Sequence, residues 1–102
     1  MRILVFFDLP VMSKVDRYAY TVFRRFLIND GYDMLQWSVY SRLVNGVNQV
    51  DKHVRRLIQN LPERGSVRYL QLTEKQFANM RLLIGEKTHQ EKKVNKDQML
   101  LF

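Results

Sequence analysis

The chain opens with Met1-Arg2-Ile3-Leu4-Val5-Phe6-Phe7-Asp8-Leu9-Pro10. Residues 3–7 are five consecutive apolar side chains, rich in β-branched and aromatic types. A short run of this kind predicts a strand that is buried on both faces and is therefore central in its sheet. Pro10 lacks a backbone N–H and disfavours helical geometry at Leu9, so the strand should end near Asp8. We expect the remaining elements to pack around this strand.

Asp8 stands at the end of the predicted strand, where backbone pairing stops and a site can open. A carboxylate beside so much apolar surface must be solvated, hydrogen-bonded or bound to a metal ion. Mg²⁺ takes few carboxylates and keeps several waters, so one Asp per chain would make a poor site. Two copies of Asp8 that face each other across a dimer axis could hold one ion between them. The alternative is a turn or helix-cap role for Asp8.

Composition narrows the class of protein. A chain of 102 residues, 46% of them hydrophobic, fits one globular domain with a real core. The absence of cysteine excludes a disulfide framework and a thiolate zinc site. No stretch approaches the roughly 18 apolar residues of a membrane span and no signal-peptide pattern occurs, so we expect a cytoplasmic protein without membrane contact. The net charge of +7 favours phosphate polymers as partners, and a merely soluble basic protein is the alternative.

A first helix is predicted to begin at Ser13, whose side chain can cap it, with Asp16 three residues on as in a capping box. Gly31 supplies the left-handed stop. Apolar side chains recur at spacings of three and four and form a stripe that can cover a sheet: Val15, Tyr18, Ala19, Val22, Phe23, Phe26 and Leu27. The other face carries a largely basic row that consists of Lys14, Arg17, Thr21, Arg24 and Arg25.

The residues after the first helix predict further strands and a second helix. Residues 34–42 favour strand, as one long strand or as two short ones bent at Trp37-Ser38. Residues 66–72 and residues 80–84 each predict another strand. The second helix is expected to start from its cap Asn48 and to carry an apolar stripe of Val50, Val54, Leu57, Ile58 and Leu61. Between the last two strands, Thr73-Glu74-Lys75-Gln76 is a capping box for a short helix that turns Phe77 inward.

This order of elements predicts an α+β protein of the ferredoxin-like type, a βαββαβ sandwich with two helices on an antiparallel sheet. The ferredoxin-like domain should span residues 1–85, followed by a flexible polar connector over residues 86–97. Residues 98–102 form an apolar tail, which predicts a strand added to the edge of its own or a partner's sheet, with a frayed end as the alternative. The apolar residues of the tail are Met99, Leu100, Leu101 and Phe102.

The sequence carries few groups suited to hydrolysis. His53 and His89 are its only histidines, and we expect both at the surface without a Ser or Asp partner. No HExxH, P-loop or GxGxxG motif occurs. Aromatic residues interleave with basic ones, but base stacking has weak support because no RNP motif is present. Contact between Lys or Arg and the nucleic-acid backbone, independent of base sequence, is better supported.

Five segments share an order and spacing that are specific only when taken together: Leu4-Val5-Phe6-Phe7-Asp8-Leu9-Pro10, Phe23-Arg24-Arg25-Phe26-Leu27, Asp30-Gly31-Tyr32, Gln36-Trp37-Ser38-Val39-Tyr40 and Thr73-Glu74-Lys75-Gln76-Phe77. In these segments the chain resembles CRISPR-associated protein two, and most of all the version found in Cas9-containing (type II) systems. The resemblance covers residues 1–85 and extends weakly beyond them. Trp37 departs from the pattern, since a smaller or polar residue is expected there.

The resemblance implies a ferredoxin-like homodimer in which the C-terminal strand of each chain crosses to the partner's sheet. It implies a metal-dependent endonuclease of RNA or DNA, with Asp8 as the catalytic residue and as the ligand of Mg²⁺ or another divalent cation. It also implies the central subunit of the spacer-acquisition complex. That subunit holds a DNA duplex and bridges two dimers of CRISPR-associated protein one, the integrase.

Two compatible hypotheses therefore arise: a dimer that positions the integrase on double-stranded DNA, and a Mg²⁺-dependent phosphodiesterase with single-stranded RNA as a second substrate class. We expect the architectural role to be central, and a purely architectural dimer without catalysis is the alternative. A ferredoxin-like interaction module without nucleic acid is a third interpretation. From the helix faces, and not from the family, we assign the phosphate contact to Lys14, Arg17, Arg24, Arg25, Arg42, Arg55 and Arg56, with Arg17 nearest to Asp8.

Overall fold

A four-stranded antiparallel sheet with helices on both of its faces forms the protein, which is described here by a computed structural model over residues 1–92. Along the sheet the strands lie in the order β2-β3-β1-β4, as the ferredoxin-like prediction requires. The elements in chain order are β1 (Arg2–Asp8), α1 (Lys14–Asn29), β2 (Asp33–Gln36), β3 (Val39–Leu43), α2 (Val47–Gln59), β4 (Ser66–Leu72) and α3 (Glu74–Ala78).

Strand β1 is central, as predicted, because it pairs with β3 on one side and with β4 on the other. Ile3 and Val5 point toward α1 and α2 and are completely buried. Leu4 points to the other face, where Phe77 of α3 covers it. The prediction that the whole run is buried was wrong at Phe6, which is 36% exposed. It lies beyond the part of this face that α3 covers.

Helices α1 and α2 cover one face of the sheet and enclose the main core. Phe23 and Leu27 of α1 pack with Val50 and Leu57 of α2 against β1. The predicted cap of α1 is confirmed, since the Ser13 hydroxyl accepts a hydrogen bond from the backbone N–H three residues on, at 3.0 Å. The apolar stripes are buried only in part. Their exposed members are Val15, Tyr18, Val22, Ile58 and Leu61.

The second face of the sheet, which we call the open face, is covered only near the start of β1. Arg2 lies here with its guanidinium 4.3 Å from the centre of the Phe77 ring and its Nε donating to Glu74 at 2.8 Å. The predicted capping box of α3 is confirmed in both directions between Thr73 and Gln76. Because α3 ends within two turns, the end of β1 near Asp8 stays uncovered.

The structure settles one open alternative and differs from two other predicted elements. Residues 34–42 form two strands that are joined by the two-residue turn Trp37-Ser38, which decides between the alternatives. Helix α2 begins at Val47 after Gly46, and no side chain caps it, so the prediction of Asn48 as the cap was wrong. Residues 80–84 do not form the predicted strand. Because they pair with no strand within residues 1–92, Leu83 and Ile84 remain 93% and 90% exposed.

The predicted connector and tail fall mostly outside the described residues. Residues 89–92, at the start of the connector, are helical, and Thr88 exchanges hydrogen bonds with Glu91 in the manner of a capping box. The tail residues Met99, Leu100, Leu101 and Phe102 lie beyond residue 92, so their role as an edge strand stays a prediction. None of the helices within residues 1–92 combines the length and apolar character that crossing a membrane requires.

His53 is buried, so the prediction that it lies at the surface was wrong. Its side chain occupies the inward stripe of α2, between Val50 and Leu57, and is part of the interior at 4% exposure. Its Nδ1 lies 3.5 Å from the carboxylate of Asp30, which also forms an ion pair with Arg56 at 2.9 Å. Burial lowers the pKa of His53 below its usual 6.5, and the positive charge of Arg42 lowers it further.

We predict that this histidine makes stability fall in mild acid. The unfolded chain takes up the proton near pH 6.5, before the folded chain does, so the free energy of unfolding decreases as pH falls below 6.5. Over that interval the slope is at most about 1.4 kcal/mol per pH unit. Urea unfolding at pH 7.5 and pH 5.5, at fixed protein concentration, measures it. His53→Asn should reduce the decrease and His89→Asn should not; an equal response of both variants would contradict the prediction.

Candidate functional site

Asp8 is the last residue of β1 and its carboxylate is exposed on the open face. The alternation of side chains along β1 places Phe6 on the same face. On the neighbouring strand β4, Ser66 stands opposite Asp8 and Arg68 stands opposite Phe6. The structure therefore brings one carboxylate, one hydroxyl and one guanidinium together at the uncovered end of the sheet.

These groups line an open depression of about 280 Å³. Trp37 and Ser38, from the turn between β2 and β3, form another part of its wall. Within residues 1–92, no basic side chain forms an ion pair with Asp8. Of the residues that the structure describes, the depression is lined by Phe6, Phe7, Asp8, Trp37, Ser38, Val39, Ser66 and Arg68.

Two tight backbone contacts position Asp8. The carbonyl of Ser38 accepts a hydrogen bond from the N–H of Phe7 at 3.1 Å, which attaches the β2–β3 turn to the end of β1. On the other side, Gly65 passes directly over the end of the strand with a φ of +101°. A Cβ at this position would lie 2.7 Å from the carbonyl oxygen of Asp8 and 2.8 Å from Cδ2 of Leu9. Only glycine combines this φ with this close approach.

The loop that carries Gly65 is held by an ion pair. Arg64 contacts the carboxylate of Asp16 at 3.2 Å. Asp16 is almost completely buried at the first turn of α1, whereas Arg64 is exposed. This contact explains why Asp16 does not complete the capping box with Ser13. Its carboxylate links the start of α1 to the loop beside Asp8.

The residues of one chain fit half of a magnesium site. In the described part of the chain, no group of three or more His, Cys, Asp or Glu side chains is arranged to hold a metal ion. Asp8 is the sole carboxylate of the depression. Protein-bound Mg²⁺ commonly uses one or two carboxylates and completes its shell with water and substrate phosphate oxygens. Asp8 can provide one of these carboxylates, and within residues 1–92 no second carboxylate lines the depression.

The basic row on α1 lies at the surface as predicted. Lys14, Arg17, Arg24 and Arg25 are all exposed. Arg17 donates to the carbonyl oxygens of Val11 and Met12 at 3.1 and 3.3 Å, in the loop that follows Asp8. The Nε of Arg24 donates to the hydroxyl of Tyr40 at 2.8 Å. These contacts use one guanidinium nitrogen of each arginine and leave the other guanidinium N–H groups for phosphate oxygens.

The remaining basic residues of the predicted set are placed differently. Arg42 is half-buried on the helix side of the sheet and donates to the carbonyl of Asp30 at the end of α1. Arg56 forms the ion pair with Asp30, whereas Arg55 is exposed and contacts only the carbonyl of Asp51, one turn earlier. Arg42 and Arg56 thus stabilise the junction of α1, β3 and α2.

Sequence reasoning missed Arg68 and Trp37, which line the depression together with Asp8. Arg68 reaches the depression because the β1–β4 register pairs it with Phe6. Trp37 reaches it because the turn between β2 and β3 folds against the end of β1. The alternation of β4 places Ser66 and Arg68 on one face, but no local pattern indicates the register that brings this face beside Asp8. Trp37 was singled out only as a departure from the family pattern.

This geometry defines the class of protein: a small α+β protein with an exposed carboxylate at the end of its central strand. Residues 1–80 match the sequence model of a family described as CRISPR associated protein Cas2. The chain belongs to this Cas2 family.

Known relatives agree with this assignment. A CRISPR-associated endoribonuclease Cas2 of Acidovorax ebreus (strain TPSY) is 66% identical over 102 residues, which cover 100% of both chains. A protein of the same name from Treponema denticola is 48% identical over 86 residues, which cover 84% of this chain and 85% of the relative. The crystal structure of Streptococcus pyogenes Cas2 at pH 6.5 has a similar fold, with a TM-score of 0.61 and 24% identity over 81% of this chain and 99% of that one.

We predict that Gly65→Ala destabilises the protein and displaces Asp8. The positive φ and the contact with the Asp8 carbonyl together should lower the free energy of unfolding by about 1 to 3 kcal/mol. Gly46→Ala is the matched control, because Gly46 has a similar φ of +83° but no atom within 4 Å of the added Cβ. Urea unfolding and the amide resonances of Asp8 and Leu9 report the effect. Equal losses in both variants, with unchanged resonances, would contradict this account.

Proposed function

We propose that the chain forms a homodimer that serves as the double-stranded-DNA-binding subunit of CRISPR spacer acquisition and bridges dimers of the integrase, CRISPR-associated protein one. The observation that carries this proposal is the exposed basic row Lys14, Arg17, Arg24 and Arg25 on one side of α1. Its arginines extend from a rigid helix, which suits them to bind phosphates without reading bases. The net charge of +7 adds a favourable long-range field for DNA.

The uncovered end of the open face supports dimer formation. Phe6 is exposed there, and Leu70 on β4 is exposed on the same face. Within residues 1–92, residues 80–84 add an apolar run that pairs with no strand but has the composition of one, and β4 lies at the edge of the sheet. Pairing across a two-fold axis would cover these groups and bring two Asp8 carboxylates toward one another. The tail 98–102 is a second segment that such a dimer could pair.

We further propose that this dimer is a metal-dependent endonuclease, since the relatives from Acidovorax ebreus and Treponema denticola are both named endoribonucleases. Asp8 would hold Mg²⁺ or another divalent cation together with Asp8 of the partner subunit. A bound divalent ion supplies Lewis-acid polarisation of the phosphate and lowers the pKa of its bound water. Arg68, beside Asp8, would neutralise the non-bridging phosphate oxygens.

A purely architectural dimer is the second candidate function. The observation that favours it is that Asp8 is the one carboxylate among the residues from 1–92 that line the depression, so this part of the chain offers neither a complete metal site nor a separate general base there. In that case Asp8 would be a solvated strand end, and phosphate binding by α1 would be the whole activity. The assignment to a Cas9-containing system and a cytoplasmic location both stay predictions, and the neighbouring genes would test the first.

Reversal of charge at Arg24 and Arg25 tests the DNA-binding proposal. Arg24→Glu with Arg25→Glu should weaken duplex binding at least tenfold near 0.1 M salt and reduce the slope of log K against log salt by about 2. Fluorescence anisotropy with duplexes of unrelated sequence measures both quantities. Lys75→Glu with Lys87→Glu makes the same change in net charge away from α1. Equal weakening by both pairs, or no weakening at low salt, would refute the assignment to α1.

Asp8→Asn separates the two roles. The amide keeps the size of the side chain but is a poor ligand for Mg²⁺, so cleavage of single-stranded RNA and of DNA should fall to background while folding and duplex binding persist. Nuclease assays with the purified dimer and spacer-integration assays with the partner integrase and Mg²⁺ measure the two activities. Cleavage that survives in Asp8→Asn would rule out the Asp8 metal site. Loss of integration in a variant that still dimerises and binds DNA would show that Asp8 also serves acquisition.

A further inference from the structure

Trp37 is the single tryptophan of the chain and it is 73% exposed at the wall of the depression that contains Asp8. A lone exposed apolar residue needs no explanation by itself. Trp37 differs because its surroundings fix it in place and because it adjoins the one carboxylate that the open face offers at the end of β1.

An aromatic column supports one side of the Trp37 ring. The indole stacks on Tyr20 with 6.1 Å between ring centres and 25° between planes. Tyr20 contacts the edge of Phe7 at 5.9 Å, and the buried Phe7 contacts Phe23 and Tyr40 in turn. Offset stacking at these distances is favourable. Because Tyr20 covers one side of the indole, the large exposed fraction belongs to the other side.

The backbone of the turn is equally constrained. Ser38 has a φ of +62°, a conformation that side chains rarely adopt outside glycine and that stores about 1 to 2 kcal/mol. The hydrogen bond from Phe7 to its carbonyl keeps the turn against β1. A strained non-glycine turn that holds an exposed aromatic ring beside a candidate site is the pattern expected of a preorganised binding surface.

We propose that Trp37 is a base-stacking platform that selects single-stranded nucleic acid. By holding one unpaired base, it would place the adjoining phosphate at Asp8. This proposal rests on the proposed nuclease function and adds to it a residue that determines its specificity for unpaired strands. A flat aromatic face can stack on any unpaired base, and a stacked base holds its adjoining phosphate at a fixed distance from the ring. Arg68, in the same depression, lies where it can contact the adjoining phosphate.

The platform also explains how one protein can treat duplex and single strand differently. Bases in a duplex already stack on their neighbours, so they must be unpaired before they can reach Trp37. The basic row on α1 needs only phosphates and accepts the duplex. Two surfaces of the chain would then serve two kinds of nucleic acid, with the unpaired base recognised only at Trp37.

The single tryptophan allows a direct test by intrinsic fluorescence. The dimeric protein is titrated in EDTA, which stops metal-dependent cleavage, with a single-stranded RNA of ten nucleotides, the same RNA with abasic nucleotides, its duplex and the matching single-stranded DNA. We expect saturable quenching by the intact single strand and little by the abasic strand or the duplex. Quenching by single-stranded DNA as strong as by RNA would support stacking and show that the platform accepts either sugar.

Two variants separate stacking from a structural role. Trp37→Leu should weaken binding of the intact single strand about tenfold, measured by anisotropy, and leave the abasic strand unchanged. Trp37→Phe should keep most of the affinity, because it retains an aromatic face. This variant also replaces Trp37→Leu in the comparison if the leucine variant does not fold. Equal weakening for intact and abasic strands would overturn the proposal. The proposal would also be overturned if Trp37 fluorescence changed when the dimer was diluted but did not change when nucleic acid was added. Quenching by the single strand in a wild-type dimer that cleaves neither RNA nor DNA when Mg²⁺ is supplied would refute the nuclease function and leave the platform standing.

Discussion

The burial of β1 between β3 and β4 is the constraint on which the rest of the structure depends. Ile3 and Val5 are completely enclosed on the helix side, and Leu4 is buried on the other. Burying one such side chain stabilises a fold by about 1.5 to 3 kcal/mol, so a shift of one residue, which would exchange the two faces, is strongly unfavourable. The same register places Asp8 opposite Ser66 at the end of the sheet. The core thereby positions the one carboxylate on which the enzymatic proposal depends.

The two faces of the sheet are covered unequally, and this inequality creates the candidate site. On one face, helices α1 and α2 bury the inward side chains of β1 along its length, whereas α3 covers only the start of β1 on the other face. The uncovered end leaves Phe6 and Asp8 beside Arg68 and the β2–β3 turn. The apolar ring of Phe6 suits a protein interface, and the charged group of Asp8 beside it suits a reaction centre. Dimer formation and metal binding are therefore linked in the function proposed for this chain.

Basic residues serve two separate purposes here. Three arginines stabilise the fold itself. Arg2 forms an ion pair with Glu74, Arg42 donates to the backbone carbonyl at the end of α1, and Arg56 forms an ion pair with Asp30. Arg24 and Arg25 on the outside of α1 remain available to a polyanion. The net charge of +7 already counts the carboxylates of these ion pairs, so the pairs leave it unchanged and the excess positive charge lies on the other basic residues.

Local patterns in the sequence determined the central strand, its end at Asp8, the caps at Ser13 and Thr73 and the ferredoxin-like order of elements, because each depends on residues within a few positions of one another. Tertiary structure alone decided the rest of the site. It set the register that brings Arg68 to Asp8 and the turn that brings Trp37 there, and it buried His53 against the end of α1. Residues 80–84 have the composition of a strand yet form none, because a strand needs a partner for its backbone N–H and C=O groups. Whether a partner strand is available depends on how chains assemble, which is not encoded in the pattern of a single segment.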